Sequence, residues 1–259
     1  MILSRRVSFC GEQLDELDES IVIRHADPGV PNESVQTVER MGGWGSRVTG
    51  QHWNQLEASV TFAINIKKTE LNRRREVFDR VIAWANRKGW LEFSSIDDRR
   101  LYVEKTVIPG GGDMREWLNE YTITFRAYSV PFWESKLPAT AVIESTNSGT
   151  ASIEVGGTAP GTLDVSFRNI SGATITNVSI WLNGKEMSLN GVNLTASETL
   201  NITHPAESGG LLRIYAGSRN VYALRRGIDD LTVKPGTNLC GVSASRAGRF
   251  TVTNFARWL

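Results

Sequence analysis

Residues 56 to 66 alternate apolar and polar side chains, with Leu56, Ala58, Val60, Phe62, Ile64 and Ile66 on one side of an extended chain. A period of two over this length predicts a β-strand with one buried face. The period returns in Trp117–Trp133, where Tyr121, Ile123, Phe125 and Ala127 oppose Thr122, Thr124, Arg126 and Tyr128. Pro131 closes that strand, because proline gives no N–H to a ladder and restricts the residue before it. Between these strands Leu71, Phe78, Val81, Ile82 and Ala85 recur at helical spacing and predict one helix with a buried stripe. Thr69 stands where a cap belongs, Glu70 in the first turn, and Gly89 just past the end. Arg73-Arg74-Arg75 reads as a solvated face, with Glu70–Arg74 and Glu76–Arg80 pairs at i,i+4. Val7/Phe9, Ile21–Ile23, Leu91/Phe93 and Leu101–Ile108 add further strands. Strands, one helix and returning strands predict an α+β, split-barrel-like domain.

Past Trp133 only strand-like runs remain, from Ala141–Glu144 and Ala151–Val155 to Leu239–Val242 and Phe250–Phe255. Val221–Leu224 is read as one of them. Asn183-Gly184 and Asn190-Gly191 predict tight hairpins, the second between Glu186–Leu189 and Val192–Leu194, and Pro235-Gly236 predicts a further turn. Many short strands without a helix predict a β-sandwich of jelly-roll, galectin-like type. The chain is thus expected to be mostly β, with domains at 1–134 and 135–259.

Charge supports that division. Residues 1–135 hold 38 of the 57 charged side chains and are net −2; the remainder is net +3 and rich in Ser, Thr, Asn and Gly. Neither part has the basic excess of a dedicated nucleic-acid binder. No apolar run reaches the ~18 residues of a membrane helix, and Met1-Ile2-Leu3 runs into Arg5-Arg6 without a secretory apolar segment. Cys10 and Cys240 stand at opposite ends of the chain, which reads as a reducing, cytoplasmic setting. The Asn-x-Ser/Thr triplets at Asn169, Asn177, Asn193 and Asn201 then read as strand and turn chemistry rather than glycan sites.

A catalytic constellation is hard to build. His25, His52 and His204 are each solitary in sequence, with no zinc spacing around them. The acidic run Glu12, Asp15, Glu16, Asp18, Glu19 matches no EF-hand loop and reads as a solvated loop. Asp97-Asp98 and Asp229-Asp230 could supply a glycosidase carboxylate. Adjacent strand residues point to opposite faces, however, and turn chemistry explains both doublets better. No metal, cofactor or enzymatic activity is expected. Binding remains. Trp181, Tyr215 and Tyr222 are the aromatics a sandwich could offer to a saccharide, or else core. The stretch Met41–Trp53 interleaves Gly42, Gly43, Gly45 and Gly50 with Trp44 and Trp53, either a covered loop or an arm that docks on a neighbour.

Three passages then carry a resemblance. Arg75-Glu76-Val77-Phe78-Asp79-Arg80-Val81-Ile82-Ala83-Trp84 is followed by Gly89-Trp90-Leu91-Glu92-Phe93. The strand ending in Phe132-Trp133 comes next, and Leu231–Leu239 supplies a late strand–turn–strand. In this order and spacing, along nearly the whole chain, they resemble the distal tail proteins of long-tailed, non-contractile bacteriophages and prophages. Where many relatives have Gly-Arg-Asp-Gly before the long alternating strand, this chain has Gly42-Gly43-Trp44-Gly45-Ser46-Arg47. The resemblance implies a hexameric ring in the virion tail, assembled in the host cytoplasm. It would join the tail tube protein to the tip or hub protein and let DNA pass without specific binding. Its C-terminal domains would project outward and carry receptor-binding proteins or resemble sugar-binding modules. Gly42, Gly43, Trp44, Arg47 and Trp53 are the expected subunit interface. A free-standing carbohydrate-binding module or adhesin is the alternative.

Overall fold

The structure, a computed structural model, describes residues 6–39, 46–67, 69–108, 120–228 and 230–259. It divides into two compact units, Met1–Trp133 with Leu259, and Glu134–Trp258. Both are built almost wholly from strands, with one α-helix among the described residues.

In the first unit the strands are β1 (Val7–Phe9), β2 (Glu12–Gln13), β3 (Ile21–Asp27), β4 (Glu33–Glu39), β5 (Ser46–Trp53) and β6 (Leu56–Ile64). Helix α1 (Leu71–Ala85) follows, then β7 (Gly89–Phe93), β8 (Arg99–Val103), β9 (Lys105–Val107) and β10 (Glu120–Ala127). One antiparallel sheet runs β3-β6-β10-β9, and a second joins β2, β1, β7 and β8. The alternation read in the sequence decides the core: Leu56, Ala58, Val60, Phe62, Tyr121, Ile123 and Phe125 are all buried. Phe9 from one sheet meets Phe125 from the other at 5.2 Å between ring centroids, and Trp84 of α1 packs edge-on to both at 5.7 and 6.0 Å. Such aromatic clusters contribute beyond their buried area. The Trp84 indole N–H donates to Glu12 O at 3.0 Å, so its polar end is satisfied.

The ends and flank of α1 differ from expectation. The residue before its first turn is Glu70, with no side-chain cap, so Thr69 does not cap it. The helix ends at Ala85 with Asn86 as cap, and Gly89 already belongs to β7. A Cβ on Gly89 would stand 2.5 Å from Cys10 Sγ, which is why that position takes no side chain. Arg74 is buried rather than solvated. Arg80 pairs with Asp18 at 2.8 Å and Arg87 with Glu12 at 2.7 Å. The acidic run is therefore the helix's counter-charge and not an independent loop.

The second unit contains β11 (Trp133–Ser135), β12 (Ala139–Val155), β13 (Gly161–Asn169), β14 (Ile175–Leu182), β15 (Lys185–Leu194) and β16 (Thr199–Thr203). It continues with β17 (Arg213–Ala216), β18 (Arg219–Asn220), β19 (Arg225–Gly227), β20 (Thr232–Val233), β21 (Gly236–Asn254) and β22 (Arg257–Trp258). Two predicted strand pairs merge here. Ala141–Glu144 with Ala151–Val155 form the single strand β12, and Leu239–Val242 with Phe250–Phe255 fall on β21 and its end. These two long strands pair along their length, with register shifts between Ile143 and Ser148. The second half of β21 pairs β13, and its first half pairs β14. One layer is thus β17-β16-β13-β21, the other β21-β14-β15-β19, and a common core lies between them. At the bend a Cβ on Gly248 would meet Phe167 Cζ at 2.2 Å, so only glycine admits the ring.

Asn183-Gly184, both at positive φ, forms the two-residue hairpin between β14 and β15. Asn190-Gly191 does not turn the chain. It lies within β15, where the register slips between Ile175↔Leu194 and Asn177↔Asn190, and Gly191 and Asn193 take the positive φ of a bulge. Val221–Leu224 is largely a 3-10 turn, with Tyr222–Leu224 in it, rather than a strand.

Candidate functional site

Strands β4 and β5 form a two-stranded sheet with no third strand among the described residues. Register runs from Glu33↔Trp53 to Glu39↔Ser46, with one irregularity between Gln36 and Thr37. On this hairpin Val35, Val38 and Val48 are 50, 56 and 57 % exposed. An isolated two-stranded sheet is marginal in water, and unpaired edges carrying β-branched residues invite pairing or cover. Its base is well anchored. Asn54 N donates to Asn32 O at 2.7 Å, Asn54 Nδ2 to Ser34 Oγ at 2.9 Å, and the Trp53 ring meets Phe132 edge-on at 5.8 Å. Of the expected interface residues, Gly42, Gly43 and Trp44 lie outside the described residues. The Arg47 backbone pairs with Val38, and Trp53 is half-buried with its ring against Phe132.

The face of β6 and β10 turned away from the core is polar but balanced. Ser59 pairs with Thr124 across the strands, Thr61 and Thr122 hydroxyls meet at 2.8 Å, and Arg126 pairs with Glu57 at 2.8 Å.

The second unit places Trp181 on a different layer from Tyr215. Trp181 lies on the outer face of β14, where a Cβ at its neighbour Gly241 would be 3.5 Å from the indole. Tyr215 is on β17, in the other layer, and Tyr222 holds the Arg225 guanidinium 4.9 Å above its ring. Tyr215 and Tyr222 lie on neighbouring segments, since Val221 N donates to Ile214 O at 3.0 Å. Asp97 and Asp98 are exposed turn residues, and Asp98 stands 3.5 Å from Arg99. Asp229 lies outside the described residues.

His204, solitary in the sequence, is not solitary in the fold. Its fully buried ring has Asp230 Oδ1 2.6 Å from Nε2 and Asp164 Oδ1 3.4 Å from Nδ1, while its backbone N donates to Asp164 Oδ1 at 2.9 Å. The ring contacts are close charge contacts, not aligned hydrogen bonds. Burial pushes the imidazole pKa down, but the contacts and charges of Asp164 and Asp230 outweigh it and hold it above its ordinary value. Asp230 is held low, chiefly by His204 against the opposing effect of burial. Asn169 was also missed as more than turn chemistry. It is fully buried, and its Nδ2 donates to Ala173 O, Leu194 O and Thr195 O at 2.7, 3.0 and 3.0 Å.

Comparison with solved structures places the fold. The chain superposes on the crystal structure of the SPP1 Dit (gp 19.1) protein with a TM-score of 0.69 at 14% identity, covering 98% of this chain and 99% of that one. That protein is described as a paradigm of the hub adsorption apparatus in Gram-positive infecting phages. A chain of the phage P2 baseplate in its activated conformation with Ca aligns at a TM-score of 0.48 and 7% identity, over 97% of this chain and 98% of that one. The first of these likenesses shows that the chain has the fold of the SPP1 Dit protein. No protein-family model matches it, and no curated protein matches it in sequence.

Proposed function

We propose that this chain is a structural, non-enzymatic hub protein of a phage tail, whose first unit closes into a hexameric ring joining the tail tube to the tip. The full-length likeness to the SPP1 hub protein carries the reading, since it spans both units rather than one common sandwich. A ring needs two different complementary patches per subunit, closing head to tail. The β4–β5 hairpin supplies one: exposed valines on a sheet with no third strand among the described residues call for cover, and a second copy of the chain provides it. The face of β6 and β10 suits the passage of DNA. Its hydroxyls pair with one another and its arginine with a carboxylate, whereas affinity for phosphates rests on available Lys and Arg. The second unit is then the part offered to tip and receptor-binding proteins.

The test is mass in solution by light scattering across a concentration series. Six copies of 28.7 kDa come to about 172 kDa. A climb to that mass, abolished by Val35→Glu with Val48→Glu, supports the ring. An unchanged hexamer in that variant removes the hairpin from the interface, and a strict monomer in the presence of tube and tip proteins refutes the hub reading. A second reading, a saccharide-binding sandwich, rests on Trp181 lying beside the side-chain-free Gly241 on an outer face. It predicts sugar-dependent protection of tryptophan fluorescence, lost in Trp181→Ala.

A further inference from the structure

We propose that Asn190 is a site of spontaneous, irreversible deamidation, and that the other Asn-Gly pair of the chain, Asn183-Gly184, is held inert by the fold. The two lie in identical local sequence, Leu182-Asn183-Gly184 and Leu189-Asn190-Gly191. In each, glycine has no Cβ to shield its backbone nitrogen from the preceding side-chain amide. By sequence they are equally reactive. The fold separates them. Asn183 is clamped to β21: its Nδ2 donates to Asn238 Oδ1 at 2.9 Å, its Oδ1 accepts from Leu239 N at 3.0 Å, and its backbone N donates to Leu239 O at 2.9 Å. Asn238 is buried and itself fixed, its Nδ2 donating to Lys234 O and Gly236 O. Swinging the Asn183 amide onto Gly184 N breaks both of its side-chain bonds.

Asn190 has no such hold. It is exposed, and its side-chain amide forms no hydrogen bond with a described residue. Gly191 is exposed at φ +79°, with nothing within 4 Å of where a Cβ would stand. Its N–H donates to Asn177 Oδ1 at 3.4 Å, longer than an ordinary N–H···O bond, so the proton is weakly held. Hydroxide takes that proton, and Gly191 N bonds to Asn190 Cγ. The Cγ–Nδ2 bond breaks, and ammonia leaves with a proton from water. A further water opens the resulting succinimide at either carbonyl, giving Asp or isoaspartate. In balance a water enters and an ammonia leaves, with no oxidation or reduction. Loss of ammonia to solvent makes the step one-way, and the formal charge of the chain falls from +1 to 0. Asn190 lies opposite the exposed Asn177, next to the register shift of the β14–β15 ladder. The new charge, and in isoaspartate the extra backbone carbon, therefore fall where pairing is already interrupted, and the aged chain stays folded. The inference concerns the second unit alone and holds whether or not the ring forms.

The full chain is aged in mildly alkaline buffer, digested and mapped by mass spectrometry, with isoaspartate read by enzymatic carboxyl methylation. A parallel sample in guanidinium supplies the rate of each site in the unfolded chain. With each rate divided by its unfolded value, Asn190 is expected to convert at least about tenfold faster than Asn183 in the folded chain. Ageing in heavy-oxygen water is expected to place the label in the product, as ring opening requires. Asn190→Gln is expected to abolish the early acidic form seen by ion exchange, with circular dichroism unchanged because that side chain is exposed. Asn238→Ala removes one clamp and is expected to raise the Asn183 rate about threefold or more, leaving Asn190 as it was. Should that variant not fold, the folded and unfolded rates of the native chain decide by themselves. A folded ratio below about tenfold, an Asn190 that stays intact while the unfolded chain converts, or an unchanged Asn183 rate in a folded Asn238→Ala overturns the proposal.

Discussion

Asn169→Asp changes one side-chain NH2 group to an oxygen and leaves the shape of a buried residue intact. In the native unit Asn169 Oδ1 accepts from Ser171 N at 2.9 Å and Ser171 Oγ at 2.8 Å, while Nδ2 serves Ala173 O, Leu194 O and Thr195 O. Backbone bonds from Asn169 N to Glu198 O and from Ser197 N to Asn169 O tie in a third segment. The amide thus holds the end of β13, the end of β15 and the approach to β16 together. An NH2 group has two hydrogens, so two donated bonds are lost outright. Each lost bond is worth ~1 kcal/mol net, and each buried carbonyl left without a donor adds ~1–3 kcal/mol. Several of these carbonyls are only partly buried and can reach water, which argues for a total of about 3–5 kcal/mol at neutral pH. Asn169→Ala, which removes the donors without placing a charge, should cost about 2–4 kcal/mol. The two variants separate with pH. A carboxyl facing three carbonyl oxygens has its folded pKa raised, so the protonated form is the one the fold tolerates. The added penalty of Asp is absent well below the unfolded pKa of ~3.9 and grows with pH up to the folded value, by at most ~1.4 kcal/mol per unit. Amide hydrogen exchange of β13 and β15 in the full chain measures the opening free energy at several pH values. An Asp variant within ~0.5 kcal/mol of the native chain at neutral pH, or one that tracks Asn169→Ala at every pH, would refute the reasoning.

Three further outcomes follow from the same structure. Glu134 accepts from Arg257 Nε and Nη2 at 2.9 Å with both residues buried, so Glu134→Ala should cost about 3–5 kcal/mol in urea unfolding. Glu134→Leu with Arg257→Met should cost far less, because no charge is left buried alone. His204 has a folded pKa above its unfolded value of ~6.5. Its contribution is therefore complete below ~6.5 and lost as pH rises through the folded pKa, with a slope of at most ~1.4 kcal/mol per unit that His204→Gln should erase. Gly248→Ala would press on Phe167 Cζ and should lower the melting temperature by overpacking worth about 1–3 kcal/mol, partly recovered by adding Phe167→Leu.

What the sequence by itself determined was everything governed by short-range period. Alternation at Leu56–Ile64 and Tyr121–Ala127 decided two central strands and their buried faces, the 3.6-residue stripe decided α1, and Asn183-Gly184 decided a hairpin. These rest on the geometry of neighbouring residues, which the chain order contains. The tertiary structure decided what depends on partners distant in the chain. Asn190-Gly191 became a bulge because β14 continues opposite it, and β12 and β21 became single bent strands because each pairs along the other. Arg74 was buried although its own helix offers i,i+4 partners. His204 gained Asp164, which lies 40 positions earlier, and Asp230, so a histidine with no local motif became the centre of a charge cluster. The physical reason is the same throughout. Secondary structure follows from local dihedral and side-chain periodicity, while charge pairing, close backbone approach and cavity shape arise only when separate segments are brought to within a few ångströms.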